Sequence, residues 1–248
     1  MLAALGFEAL ATTSAGFAFS LGRPDAEGAI SRDLTLGNVR AIVDATPLPV
    51  AGDLENGFGD DPETCAETIR LAAQAGLVGA SIEDATGDAS DPVYPLALSV
   101  DRVSAAVEAA RALPFPFVLT ARAENLINGR PDLKDTIGRL EAFASAGADV
   151  LYAPGLRSRD AIASVVNAVA PKPVNVVMGL SGAQLSLAEL GALGVKRVSV
   201  GSALARAAYG AFLKAAREIR DRGTFTFADE AAAYSDLNAM FKPPDART

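Results

Sequence analysis

Seven short apolar runs recur along the chain, and each one follows a signal that ends a helix. Four signals use glycine and read Leu5-Gly6-Phe7, Ala75-Gly76-Leu77, Ala146-Gly147-Ala148 and Leu193-Gly194-Val195. The other three use proline and read Pro47-Leu48-Pro49, Pro114-Phe115-Pro116 and Pro171-Lys172-Pro173. Glycine suits the left-handed position that closes a helix, and proline cannot continue one. Because the two forms alternate along the chain, they predict a regular succession of helices and strands.

The apolar runs predict seven strands at Glu8–Thr13, Val50–Asp53, Val78–Asp84, Phe117–Arg122, Asp149–Ala153, Val174–Met178 and Arg197–Gly201. Helical stretches between them include Thr64–Gln74, Val100–Ala112, Leu133–Ser145, Ser158–Ala170 and Leu187–Ala192. Such alternation is typical of a parallel sheet covered by helices. A single domain over residues 1–248, folded as a (β/α)8 barrel, is favoured over a doubly wound sheet, since no Gly-rich nucleotide-binding fingerprint is present.

The strand count is one short of a complete barrel. The alternation of signals predicts that a proline-type strand should precede Glu8, and Met1–Leu5 resembles the end of a helix. We therefore expect a barrel that lacks its first strand and part of its first helix in this chain. A seven-stranded or open variant remains the alternative.

Composition restricts the chemistry. The chain has no histidine and one cysteine, Cys65, which excludes Ser-His-Asp triads, histidine-ligated zinc and a disulfide framework. Cys65 is expected to be a buried structural thiol. The net charge of −8 argues against nucleic acid or an anionic membrane as a partner. No apolar stretch has the length of a membrane span and no basic leader is seen, so a cytoplasmic location is expected.

Polar side chains cluster where the predicted strands end, which is where barrel enzymes carry their chemistry. Asp53 and Glu55 lie two apart, and in an extended segment they would share one side. With Glu83 and Asp25 they would place four carboxylates at one rim, an arrangement that needs a cation. An oxygen-only shell suits Mg2+ or Mn2+, and Arg122 could grip a carboxylate or phosphonate.

Two further positions could contact a substrate. Ser14 stands beside Gly16 at a strand end, where it could bind substrate or cap a helix. Asn175 lies in a predicted strand and could point into the barrel, in a structural or a functional role.

Five stretches resemble the isocitrate lyase/phosphoenolpyruvate mutase superfamily. They are Thr13-Ser14-Ala15-Gly16, Leu21-Gly22-Arg23-Pro24-Asp25, Asp53-Leu54-Glu55-Asn56-Gly57-Phe58-Gly59, Ile82-Glu83-Asp84 and Ala121-Arg122-Ala123-Glu124. The resemblance covers essentially the whole chain and implies an α/β barrel that forms dimers by exchanging a C-terminal helix, paired into tetramers.

The resemblance also implies roles for individual residues. Asp53 matches the aspartate that contacts the metal, while Glu55, Asp25 and Glu83 match acids that act mainly through metal-bound waters. Substrate-binding positions of the family match Ser14, Ala15, Gly16 and Arg122. We assign Arg122, Glu83 and Asp25 to the chemistry, and Asp53 and Asn175 to substrate contact besides.

The chain departs from the family in one loop. Lyases of the family carry K-[KR]-C-G-H after I-E-D, whereas residues 85–94 here contain no Lys, Cys or His. The Lys and Asn of phosphonate-processing members are also absent, and Glu55 replaces an aspartate. Neither the lyase activity nor the phosphonate chemistry of the family therefore carries over directly. Tyr94 is a candidate proton donor.

What the resemblance leaves is the shared step, in which an oxo or hydroxy acid is cleaved to an enolate beside a metal ion. The leading hypothesis is a metal-dependent carbon–carbon lyase or decarboxylase acting on a small carboxylate. The alternatives are an enzyme of P–C bonds and a non-catalytic carboxylate-binding barrel.

Overall fold

Seven parallel strands follow one another in chain order around a nearly closed barrel. The computed structural model describes residues 1–26, 28–179 and 184–241. Within these residues the strands are β1 (Leu10–Ala11), β2 (Val50–Asp53), β3 (Gly79–Glu83), β4 (Val118–Arg122), β5 (Val150–Tyr152), β6 (Val174–Val177) and β7 (Arg197–Ser199). Each strand pairs in parallel with the next. β1 and β7 form the two ends of the sheet.

Helices lie between successive strands, and further helices follow β7. They are α1 (Ser14–Ser20), α2 (Arg32–Asp44), α3 (Pro62–Gln74), α4 (Leu96–Arg111), α5 (Leu133–Ser145), α6 (Arg159–Ala168), α7 (Leu187–Ala192), α8 (Ala203–Arg222) and α9 (Tyr234–Phe241). Short 3-10 segments occupy Ala3–Leu5 and Thr226–Glu230. Gly76, Gly147 and Gly194 have φ angles of 98°, 101° and 92°. The helix-ending role predicted for these glycines is thereby confirmed.

The apolar core lies between the strands and the helices. Ile82, Leu119 and Leu151 are fully buried there. Because side chains alternate along a strand, the strand residues that do not face this core face the barrel interior. The strand register aligns five of them laterally, which we call the inner row: Glu83, Arg122, Tyr152, Asn175 and Arg197. Four of these residues carry ionisable groups, so the barrel interior is polar.

All seven strands predicted from the sequence are confirmed. The first is shorter than expected, because its end is taken over by capping contacts: the Asp53 amide donates to Thr12 Oγ1 at 2.9 Å, and Thr13 caps α1. Helices α5 and α7 have the predicted bounds. No helix of the described chain is long and apolar enough to cross a membrane.

The C-terminal helices carry apolar side chains on the surface. None of the residues of α8 is buried, and Phe212 is 67% exposed. Tyr234 at the start of α9 is 85% exposed. The 3-10 segment Thr226–Glu230 precedes α9. What covers the apolar surface of these C-terminal helices stays a prediction.

Candidate active site

Arg122, the last residue of β4, lies at the centre of a cluster of acids. Its Nη1 is 2.9 Å from Asp53 Oδ1, and its Nη2 is 2.9 Å from Glu83 Oε2. Its Nε donates to Glu124 Oε1 at 2.9 Å. Burial opposes the charge of the guanidinium, but the three carboxylates outweigh this effect and hold the pKa of Arg122 well above its ordinary value. The strand ends β2, β3 and β4 therefore meet at one arginine.

Two more acids lie beside Asp53. Burial, together with the charges of Asp53 and Asp25, raises the pKa of Glu55 from 4.5 to about 7, although a hydrogen bond from the Gly28 amide opposes the change. The pKa of Asp25 is also raised, first by burial and then by Asp53, while a hydrogen bond from Ser14 and the charge of Arg122 oppose the change. The rim thus holds more negative charge than one arginine balances.

The reason given from sequence for the proximity of Asp53 and Glu55 is wrong. β2 ends at Asp53, and Glu55 has a left-handed φ of 50° instead of an extended backbone. Its carboxylate reaches Asp53 because the chain turns sharply there, and it accepts a hydrogen bond from the Gly28 amide at 3.2 Å. A non-glycine residue in this conformation is strained, and such strain concentrates at functional sites.

The acids suit a divalent ion that keeps most of its water. Among the described residues, no three Asp, Glu or Cys side chains form a cluster that could hold a metal ion alone. The two oxygens of Asp53 already accept from Arg122 and, at 3.2 Å, from the Ser14 amide. Mg2+ is commonly held by one or two carboxylates and several waters. Asp53 as ligand, with Asp25, Glu55 and Glu83 around it, fits that pattern and stays a prediction.

Ser14, Ala15 and Gly16 form the first turn of α1. Thr13, not Ser14, caps this helix through the Gly16 amide at 3.3 Å. A Cβ on Gly16 would lie 2.5 Å from Thr13 Cγ2, so a side chain there would displace the Thr13 side chain that caps the helix. The amide of Ser14 binds Asp53, which joins this turn to the acid cluster. Substrate contact by the three residues stays a prediction.

Asn175 lies in the inner row on β6 and is 3% exposed. Its Nδ2 donates to Ser199 Oγ at 3.1 Å, whereas its Oδ1 accepts no hydrogen bond from any described residue. Buried polar atoms are nearly always paired. An unpaired oxygen here therefore supports the prediction that Asn175 contacts a ligand.

The loop after β3 is held by contacts within itself and with the segment that follows β4. Ala85 and Val93 form an antiparallel bridge, and Asp91 pairs with Arg130 at 2.8 Å. At its end the Tyr94 hydroxyl donates to Asp60 Oδ1 at 2.6 Å, and the Arg102 guanidinium lies 4.2 Å from the ring centroid. Burial and the bond to Asp60 raise the pKa of Tyr94. Its hydroxyl is an anchor for the loop rather than a free proton donor.

Sequence reasoning missed two residues of this site. Glu124 is 2% exposed, and it binds Arg122 while burial raises its pKa to about 8. Glu124 is the last residue of the Ala121-Arg122-Ala123-Glu124 stretch, and that motif could have pointed to it. Tyr152 is aligned with Arg122 across the β4–β5 pair, and only the register reveals it. Cys65 is fully buried and burial raises its pKa, which confirms a structural thiol.

Comparison with known proteins agrees with this architecture. The family model described as phosphoenolpyruvate phosphomutase matches residues 1–220. The chain belongs to this family. It is thus an enzyme of the isocitrate lyase/phosphoenolpyruvate mutase superfamily, as the sequence motifs indicated. A crystal structure of a Burkholderia cenocepacia J2315 protein is 64% identical, with a TM-score of 0.95 over 98% of this chain and 86% of that one.

Relatives with named activities within the superfamily are more distant. The chain is 30% identical to an oxaloacetate decarboxylase of Bradyrhizobium sp. (strain BTAi1 / ATCC BAA-1182) over 79% of its own length and 66% of the relative. It is 35% identical to the 2-methylisocitrate lyase of Salmonella typhimurium, with 59% of this chain and 50% of that enzyme aligned. The chain therefore spans about half to two thirds of these two enzymes.

Proposed function

We propose that the protein is a divalent-metal-dependent carbon–carbon lyase or decarboxylase acting on a small 2-oxo or 2-hydroxy carboxylate through an enolate. The observation that carries this proposal is the surplus of acids around Arg122 and Asp53, where the pKa values of Asp25 and Glu55 are raised. A cation bound there would relieve the repulsion. The similarity to a decarboxylase and a lyase supports the class of reaction.

Each side chain has a part in the proposal. Asp53 would hold Mg2+ or Mn2+ directly, and Asp25, Glu55 and Glu83 would bind its waters. When bound, the ion would polarise the substrate oxygens and stabilise the developing enolate charge. Arg122, fixed by three carboxylates, adds a positive charge that does not reorganise during the reaction. The first turn of α1 and Asn175 would contact the substrate carboxylate.

The test is turnover of oxaloacetate with Mg2+ or Mn2+, followed by formation of pyruvate. We expect turnover that EDTA abolishes and that added metal restores. Asp53→Asn should lower kcat/KM by about 100-fold or more, the size of effect seen when a charge-stabilising group is lost. Asp160→Asn, on the exposed start of α6, is the matched control and should stay close to wild type. Turnover that does not need a metal would contradict the proposal.

A second candidate is an enzyme of P–C bonds, a phosphoenolpyruvate mutase or a phosphonopyruvate hydrolase. It is favoured by the family model, which covers residues 1–220. Incubation with phosphonopyruvate followed by 31P NMR separates it from the first candidate, because phosphate or phosphoenolpyruvate would appear. Calorimetric binding of an oxoacid without any turnover would instead favour the carboxylate-binding barrel.

We also propose that the protein is a homodimer or homotetramer. Apolar side chains on α8 and α9 lie on the surface, among them Phe212, Tyr234 and Phe241. Exposed apolar patches of this kind commonly mark contacts between subunits.

A further inference from the structure

Tyr152 occupies the centre of the inner row, between Arg122 on one side and Asn175 on the other. The Arg122 guanidinium lies 5.0 Å from the centroid of its ring. The charges of Glu124 and Asp53 also act on the phenol and raise its pKa, so the hydroxyl lies near the acid cluster. None of the roles described so far uses this residue.

A directed chain of hydrogen bonds holds the phenol. An Asn amide nitrogen can only donate, so Ser199 Oγ accepts from Asn175 Nδ2 at 3.1 Å. Ser199 is then able to give its own proton to the phenolic oxygen, to which it is hydrogen-bonded. In this arrangement the proton of the Tyr152 hydroxyl is left for a group inside the barrel.

A second observation, an Asn175 oxygen without a partner in the described part of the chain, supports a ligand-binding role for this part of the barrel. Asn175 Oδ1 is buried and accepts no hydrogen bond from the described residues, although the nitrogen of the same amide is fixed by Ser199. An acceptor in this state calls for a hydroxyl, a protonated group or a water beside it. The orphan oxygen and Tyr152 are aligned on adjacent strands.

Two other candidates for a proton donor, Tyr94 and Cys65, are occupied elsewhere. The Tyr94 hydroxyl donates to Asp60, and the Cys65 thiol lies fully buried against the Asn56 carbonyl at 3.7 Å. Histidine is absent from the chain. Burial, together with the charges of Glu124 and Asp53, raises the pKa of Tyr152 to about 12, so the phenol keeps its proton at neutral pH.

We propose that Tyr152 is the catalytic acid that protonates the enolate. This inference rests on the proposed function. With oxaloacetate, the C3–C4 bond breaks, its electron pair forms the enolate of pyruvate, and CO2 leaves. As the enolate returns to the ketone, C3 forms a bond to the phenolic proton, and the O–H bond of Tyr152 breaks. The resulting phenolate takes a proton from water, so one proton is consumed for each CO2 released.

The first test compares three tyrosine-to-phenylalanine variants in oxaloacetate turnover with Mg2+. Tyr152→Phe should lower kcat by about 100-fold or more, as expected for a lost general acid, while KM changes by less than about threefold. Tyr209→Phe, on the surface helix α8, is the matched control and should equal wild type. A Tyr152→Phe kcat within threefold of wild type would overturn the proposal, and a large loss in Tyr94→Phe alone would move the role to that residue.

The second test does not need cleavage of the substrate. The wild-type protein with Mg2+ should exchange the methyl protons of pyruvate with D2O, measured by 1H NMR, because the same tyrosine acts in reverse as the base. Tyr152→Phe should exchange at least 30-fold more slowly, while oxalate raises its melting temperature as it does for wild type. If wild type neither cleaves oxaloacetate nor exchanges pyruvate, the proposed function fails. Exchange that persists in Tyr152→Phe would overturn the role of Tyr152 but not the proposed function.

Discussion

Arg102 on α4 supports the loop that carries the acid cluster, and its removal gives a quantitative test of the structure. The side chain is 1% exposed, and its Nη1 donates to the Gly59 carbonyl at 2.6 Å and to that of Asp60. Its Nη2 donates to the Asn56 carbonyl, and the guanidinium stacks on Tyr94. One arginine thus satisfies three carbonyls of the segment that follows β2.

Arg102→Met keeps the length of the side chain and removes every donor. A hydrogen bond from a charged donor contributes about 1.5–3 kcal/mol, so three bonds give roughly 4.5–9 kcal/mol. Leaving out the buried charge returns several kcal/mol of its desolvation cost. The net loss of unfolding free energy should be about 3 kcal/mol. At about 2–4 °C per kcal/mol for a chain of this size, the melting temperature should fall by roughly 6–12 °C.

The assay is thermal unfolding followed by circular dichroism, with urea unfolding as an independent measure. Arg102→Lys keeps the charge but not the fork, and it should lie between Arg102→Met and wild type. Arg159→Met is the control, since its side chain is 53% exposed and its ion pair spans 3.8 Å. A melting temperature for Arg102→Met within 2 °C of wild type would show that the three carbonyls do not depend on this arginine.

Three further predictions concern charge, the thiol and assembly. The folded pKa of Glu55 is about 7 and its ordinary value is 4.5, so metal-free protein should lose roughly 1–3 kcal/mol of stability as pH rises from 4.5 to 7. Urea unfolding of Glu55→Gln should show a stability that depends less on pH. Equal pH dependence of the variant and wild type would contradict the assignment. Cys65, fully buried, should react with Ellman's reagent only in denaturant, and rapid native modification would refute its burial. Sedimentation should show a dimer or tetramer that Phe212→Glu weakens, whereas a wild-type monomer at micromolar concentration would exclude the proposed assembly.

The succession of strands could be predicted from sequence because each strand follows a local glycine or proline signal that ends a helix. Gly76 and Gly147 adopt the left-handed conformation that ends a helix, and such a residue preference can be seen without knowledge of the fold. The gathering of the acids at strand ends followed from the fold, since parallel strands bring their carboxyl ends to one rim. Arg122 and Asp53 lie together as this rule requires.

What could not be predicted depends on contacts between distant segments. The turn at Glu55 is fixed partly by the Gly28 amide, 27 residues away, so alternation along a strand gave the wrong reason for its position. The sequence did not reveal the hydrogen bond of the Tyr94 hydroxyl, because its partner Asp60 lies 34 residues earlier in the chain. Tyr152 escaped notice because its position beside Arg122 comes from the register of β4 with β5.

The inner row has a consequence for how such a protein can change its chemistry. Its members stand on five successive strands, and each belongs to a separate strand–helix unit with its own packing. A replacement at Tyr152 or Asn175 can therefore introduce a different reactive group while the backbone that presents the neighbouring groups stays in place. Evolution, or a designer working with a small codon library at these two positions, could exchange reactions one strand at a time.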